Sequence, residues 1–439
     1  MAPVAPVPAA APAAVAAPEP PPAVSPPPPI DVERAARYFA EADEVCRAEA
    51  GQLWGASLCG PMLFVDPATR FAVASAADAG AVLVAQGGVF TGTLPEGASV
   101  ANTAFEWSGV RWTEVVWPGI PQEPRARRIL FVHELFHRIQ PGLGAQVNEA
   151  DNGHLASADG RRLLRLEWRA LAAALGTTGA ARVRAVSDAL AFRAARRKQF
   201  PAAAAAERAL ETNEGLAEYT ARRVVGASEA ERIALARDSL TGAEAKPSYV
   251  RSFAYGSGPA YGTLLDASGA EWRRRAVTGA DLGELLARAL RIAPAGAGQE
   301  LVRREAAYGG AALRREETER EAAQHRRVAE LRARLVDGPT LTLPARELRV
   351  NFNPNELVPI GDGGTAYPTL RVSAAWGELV VASGGALLDR GWSHVVVSAP
   401  IDPSARPLRG EGWELHLAPD WAIERAARAG DWVLRGPAP

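Results

Sequence analysis

Neither sign of charge dominates this 439-residue chain: 49 Lys and Arg stand against 50 Asp and Glu, a net charge of -1. With no excess positive charge to neutralise phosphates, nucleic acid is excluded as the main partner. Outside the N-terminus no run of 18 apolar residues occurs, so no membrane-spanning helix is expected. Cysteine is nearly absent. Cys46 and Cys59 are the only two, either a disulfide closing a short loop, worth roughly 3 kcal/mol, or two buried thiols. Histidine is scarce, with six in the chain. No internal repeat is visible. The stretch "AAVAAP" has the small residues of a cleavage site, but no basic n-region precedes it. Residues 1–29, almost purely Ala, Pro and Val, therefore read as a disordered linker or as a remnant export signal joined to one.

The rest of the chain shows two changes of pattern. "DVERAARYFAEADEVCRAEAGQLW" opens with an Asp cap and spaces its apolar residues as a helix does. "PMLFVD", "FAVASA", "AVLVAQ" and "FEWSGVRWTEVVWP" read as strands, the last as a hairpin turning at Ser108-Gly109. Helices are then expected at about 125–140, 160–175, 179–198, 202–224, 227–240, 247–266, 280–291 and 311–335. The last of these is highly charged and reads as a solvated face with i,i+4 pairs. From 338 onward short strands return. The expected class is α+β, with a domain over 30–337 and a small β-rich domain over 338–439.

The chemistry concentrates in "LFVHELFHRIQ", residues 130–140. Residues four apart share one helical face, so His133 and His137 can address a single ion. Glu134 stands beside them as a candidate base. This is the H-E-x-x-H arrangement of zinc hydrolases. The bland alternative, two core histidines, would leave polar rings and a carboxylate in an apolar helix at a cost of several kcal/mol if unpaired. A catalytic zinc needs a third protein ligand. Gln140 stands where a metzincin has Gly and no third His follows, which excludes that class. Cys59 and His154 are conceivable ligands. "ETNEGLAEYT" is the better source: Glu211, Glu214 and Glu218 lie at i, i+3 and i+7 on one helical face, where they repel unless a cation offsets them.

Here the sequence resembles the gluzincins, the zinc peptidases that include thermolysin and the aminopeptidases. Asn213-Glu214-Gly215-Leu216-Ala217 is similar to the aminopeptidase N-E-G-F-A motif. The resemblance implies a zincin-like catalytic domain holding Zn2+ through His133, His137 and Glu214. Glu218 would be the acid behind a ligating histidine. Tyr255, in "Tyr255-Gly-Ser-Gly258", matches the Y-x-x-G segment that carries the oxyanion donor, with Tyr261 as the alternative. The strand "RWTEVVWP" is placed to be an edge strand that pairs with substrate backbone. Two departures stand out: residues 138–213 form a helical insertion between the second and third ligands, and the aminopeptidase amine-binding motif is missing.

The expected function is a zinc-dependent metallopeptidase acting on a peptide or protein substrate, with Glu134 as general base. Its expected location is secreted or periplasmic rather than cytoplasmic. The alternative is a zincin-fold binding or envelope-associated protein that holds zinc without turnover.

Overall fold

The first described element, α1 (Val32–Glu49), starts where Asp31 accepts the backbone N–H of Arg34 at 2.9 Å. The computed structural model describes residues 30–98, 100–145, 151–293, 299–353 and 356–437. The segment 1–29, read above as linker or export signal, lies outside them. The chain divides into two units, one of residues 30–41 with 60–121, the other of 42–59 with 122–437. The mixture of helical and sheet regions is an α+β architecture.

The first unit is built on six strands: β1 (Met62–Val65), β2 (Phe71–Ala74), β3 (Val84–Gln86), β4 (Val89–Thr93), β5 (Thr103–Trp107) and β6 (Val110–Val116). Their order is β3-β4-β2-β1-β6-β5, antiparallel except for the β1/β6 pair. All four residues of β1 are buried, because both its faces are covered. On one side Phe64 stacks on Phe39 with centroids 4.3 Å apart; on the other Leu63 and Val65 join Trp112. The hairpin at Ser108-Gly109 is present, both residues at positive φ. The strand expected to receive substrate is β6, and that expectation fails. Both its edges are already occupied, by β1 and by β5, so its backbone groups have partners and β-addition there is closed.

The second unit is mostly helical up to Asp337: α2 (Pro124–Ile139), α3 (Ala158–Leu175), α4 (Gly179–Gln199), α5 (Ala203–Leu210), α6 (Leu216–Val225), α7 (Glu229–Glu244), α8 (Phe253–Ala267), α9 (Arg273–Val277), α10 (Leu282–Ala289), α11 (Gln299–Ala307) and α12 (Gly310–Arg332). The single helix expected over 202–224 is interrupted between α5 and α6 by a π-helical turn, Glu211–Gly215. Most of α12 is exposed, as expected, but among the described residues its ion pairs run to other elements rather than along the helix. Glu317 is buried and meets Arg161 and Arg165 of α3 at 2.7 and 2.8 Å. The pattern change at 338 is a change from helix to strand inside this unit. Seven- and five-stranded sheets follow, sharing one core that includes Leu341, Val395 and Val397 together with Val372, Leu379, Leu415, Trp376 and Trp413. Alternate residues point inward, as in packed sheets.

Candidate metal centre

Helix α2 is set by its ends. Glu123 accepts the N–H groups of Arg125 and Ala126, and Pro124 occupies the first turn, where its missing N–H costs nothing. Pro141 follows the last turn. Between them Phe131–Phe136 are buried without interruption, so His133 and Glu134 are carried into the interior. Cys46 and Cys59 form a disulfide, with Cα atoms 5.2 Å apart. The loop it closes is tied to α2: Arg138 donates to the carbonyl of Cys59 at 2.7 Å, and Trp54 packs on Phe136. Asp43 lies near both sulfurs. Sulfurs bonded to one another are not thiolates, so this trio is no metal site and Cys59 is not a ligand.

The π turn decides which glutamate faces α2. The N–H of Leu216 bonds the carbonyl of Glu211, five residues back, so the turn holds one residue more than an α turn. Glu211, Glu214 and Glu218 therefore do not share one face as an unbroken helix would require. Glu211 turns to α4, where Arg193 grips both its oxygens at 2.8 and 2.5 Å. Glu214 turns to α2, with Oε2 3.3 Å from His133 Nε2 and 3.5 Å from His137 Nε2. The two imidazole Nε2 atoms are 3.1 Å apart. Two ligands bound to zinc at about 2.0–2.1 Å in tetrahedral geometry stand about 3.3–3.4 Å apart. The observed triangle matches that spacing.

The outer partners aim the lone pairs. Glu218 Oε2 lies 3.0 Å from His133 Nδ1, and its other oxygen is held by Arg222 at 2.8 Å. Gln140 donates its amide N–H groups to the carbonyls of Thr212 and Asn213 at 2.8 and 3.2 Å. Its oxygen therefore faces His137 Nδ1, 2.9 Å away, and accepts that proton. Each Nδ1 carries hydrogen, so each Nε2 presents its lone pair inward beside a carboxylate oxygen. Three electron-rich atoms converge, and only a cation can sit among them. Without a metal that cation is a proton. Burial disfavours charge on His133, but hydrogen bonds to Glu214 and Glu218 and the charge of Glu134 prevail and lift its pKa to about 10. Burial likewise raises Glu214, and the two histidines override it, holding the carboxyl well below the usual range.

Glu134 is buried, and its Oε2 has no hydrogen-bond partner. Burial pushes its carboxyl up, against the pull of His133 and His137. Tyr255 is 37% exposed, stacks parallel to His133 with centroids 5.5 Å apart, and donates to Glu214 Oε2 at 2.6 Å. Its placement depends on glycine. A Cβ on Gly258 would lie 2.2 Å from the carbonyl oxygen of Gly215, and one on Gly262 would lie 2.2 Å from the Tyr219 ring. Side chains at these positions would force α8 away from the π turn and α6 and take Tyr255 with it.

The structure thus brings together His133, His137, Glu214, Glu218, Glu134 and Tyr255. It does not bring Tyr261, whose buried hydroxyl donates to Glu167 at 2.7 Å, nor His154, which pairs with Glu207 at 3.0 Å. Both belong to the charged interior of α3–α5. The sequence did not point to Gln140 or Arg222 as partners of the histidines or of Glu218; Asn213, quoted only as part of the motif, donates its Nδ2 to Glu214 Oε1 at 3.2 Å. Gln140 was discoverable, since it follows His137 by three on the same helical face.

The chain matches no protein-family model, and comparison with curated proteins and with solved structures finds no significant match.

Proposed function

We propose that this chain is a zincin-type, zinc-dependent metallopeptidase of the gluzincin kind. The observation that carries the proposal is the convergence of His133 Nε2, His137 Nε2 and Glu214 Oε2 within 3.1–3.5 Å of one another, with both imidazole tautomers fixed from behind. Two imidazoles and one carboxylate are a donor set suited to Zn2+. Among the described residues this group has three members, which favours an open, catalytic position over a closed structural one. When bound, the ion supplies Lewis acidity that activates water and polarises a carbonyl.

The chain's own residues supply the rest. Glu134, buried with one oxygen unpartnered, takes a proton from the attacking water and delivers it to the leaving amine. Burial, which disfavours its charged form, makes it a stronger base than an exposed carboxylate. Tyr255 stands at the rim with its hydroxyl on the Glu214 oxygen and is the donor nearest to hand for a developing oxyanion. The disulfide supports a location in an oxidising compartment, secreted or periplasmic. Among the described residues no helix is long and apolar enough to cross a membrane.

The test is zinc stoichiometry after dialysis. About one ion per chain is expected for the wild type and less than a tenth of that for Glu214→Ala. A wild type without zinc, or a Glu214→Ala protein that retains it, removes the metal centre. Zinc held without hydrolysis of a mixed peptide library would leave the binding-protein alternative.

A further inference from the structure

Helix α6 continues past Glu218 to a second polar feature. Behind its C-terminal end lies a cavity of about 500 Å³, with Arg128, Arg223, Arg232 and Arg273 in its wall and Val45 and Leu53 on its apolar part. A neighbouring cavity of about 370 Å³ also contains Arg223 and Arg232, so these two side chains form a partition with space on both sides. The volume of the larger falls within the range of about 300–1,000 Å³ typical of small-molecule sites.

The charges here do not close on themselves. Of the two carboxylates in the larger cavity, Glu49 already accepts the N–H groups of Gly51 and Leu53 at 2.9 and 2.6 Å, and Glu44 is exposed. Asp266 braces the wall from behind. It accepts from Arg273, from Arg223 Nε at 3.2 Å, from the Tyr219 hydroxyl at 2.8 Å and from Trp272 Nε1 at 3.0 Å. Arg232 Nε donates to the carbonyl of Gly226 at 2.9 Å. Both guanidinium groups are thus anchored through Nε, while their Nη groups have no hydrogen-bond partner among the described residues. Burial and the adjacent Arg223 charge both disfavour the charged form of Arg232.

We propose that this cavity binds a small oxyanion, a carboxylate or a phosphate, held between the Nη groups of Arg223 and Arg232. A guanidinium anchored through Nε presents its outer edge as a planar fork, and two such forks match the oxygens of one anion. The anion offsets the repulsion between the two arginines. The apolar part of the wall accepts the body of an organic acid. The inference is independent of the metal centre, since none of these side chains belongs to it.

The experiment titrates the full chain with sodium benzoate and with inorganic phosphate, following arginine Nε–Hε resonances at constant ionic strength set with NaCl. Saturable shifts of Arg223 and Arg232 that NaCl does not reproduce are expected. At least a tenfold weaker affinity is expected in Arg223→Gln and in Arg232→Gln. Tighter benzoate binding assigns the site to organic carboxylates; tighter phosphate binding assigns it to phosphate. If neither titration of the wild type saturates below about 10 mM, the site does not exist. Equal affinity in both variants, with unchanged thermal unfolding, would place the binding elsewhere and overturn the assignment as well.

Discussion

Two buried polar clusters lie on either side of one π turn, and they are built on opposite plans. On the α3–α4 side Glu211 meets Arg193, Glu167 meets Arg193 and Arg196, Glu207 meets Arg196 and Arg197, and Asp281 meets Arg193 and Arg197, all at 2.5–3.2 Å. Burial pushes Glu207 up, but Arg196 outweighs it and holds the carboxyl well below its ordinary range. Every anion there has a cation from the same chain. On the α2 side Glu214 meets two histidines whose outer nitrogens are already engaged. The first cluster is closed in that permanently charged arginines meet every carboxylate, whereas Glu214 is met by imidazoles, whose charge depends on a proton. The π turn keeps the two apart by sending Glu211 one way and Glu214 the other.

The sharpest way to break this comparison is to change the chemistry while leaving the triangle of ligands in place. Glu134→Gln keeps the three ligands and removes the base. Zinc content is expected to stay near one per chain while peptide hydrolysis falls by about 10³-fold, within the usual range for a general acid–base. A variant that hydrolyses peptides at the parental rate would remove Glu134 from the mechanism. The next largest effect belongs to the closed cluster. Arg196→Ala leaves Glu167 and Glu207 short of their main cation, and a loss of about 3–5 kcal/mol in urea unfolding is expected. The folded fraction is expected to bind zinc as the parent does. A loss under 1 kcal/mol would show that Glu167 and Glu207 do not depend on Arg196 for their charge.

The legible and illegible parts of the chain divide by range of interaction. His133, Glu134 and His137 sit within one helical turn, where spacing alone sets their geometry. The helices expected at 160–175 and 280–291 are present as α3 and α10. The π turn was not legible. Nothing in "ETNEG" announces an extra residue; it follows from Arg193 drawing Glu211 and the α2 histidines drawing Glu214. The i, i+3, i+7 argument therefore put Glu211 on the wrong face while giving Glu214 and Glu218 positions beside the histidines. Only the Y-x-x-G match favours Tyr255 over Tyr261 in the sequence, and the packing of α8 makes the first a rim phenol and the second a core one. Strand order was equally hidden. The alternation in β6 marks a strand, but its two neighbours, the adjacent β5 and the more distant β1, both lie earlier in the chain.

Glu114 of β6 sharpens the comparison from a third direction. It is fully buried, and its Oε1 lacks a partner just as Glu134 Oε2 does. It lies in the first unit, in none of the ligand groups. Burial raises its pKa to about 7, against a hydrogen bond from Ala101 and the charge of Arg70. Here the missing cation is simply a proton. The folded-state pKa lies above the unfolded value, so the folded state binds more protons between pH 4.5 and 7. Stability is then fully present below about pH 4.5 and falls as the pH rises through 7. The difference between wild type and Glu114→Gln in urea unfolding is expected to change by roughly 2–3 kcal/mol across that window. Parallel pH profiles for the two proteins would mean that Glu114 is solvated or paired in both states.

The smallest effect concerns the outer partner that sequence reasoning missed. Gln140 fixes the His137 tautomer only because its own amide is pinned to the carbonyls of Thr212 and Asn213. Gln140→Leu keeps the volume and removes both functions, so His137 becomes free to place its proton on either nitrogen. The fold keeps α2, whose core residues are untouched. Zinc affinity is expected to weaken by about 10- to 100-fold, the usual cost of losing such a partner. Gln140→Glu separates orientation from charge: its carboxylate still accepts from His137 Nδ1 but repels the two carbonyls instead of donating to them. Competition with a zinc chelator measures both. If Gln140→Leu binds as tightly as the parent, the triangle is held by α2 and the π turn alone, and the tautomer argument loses its force for His137 while standing for His133.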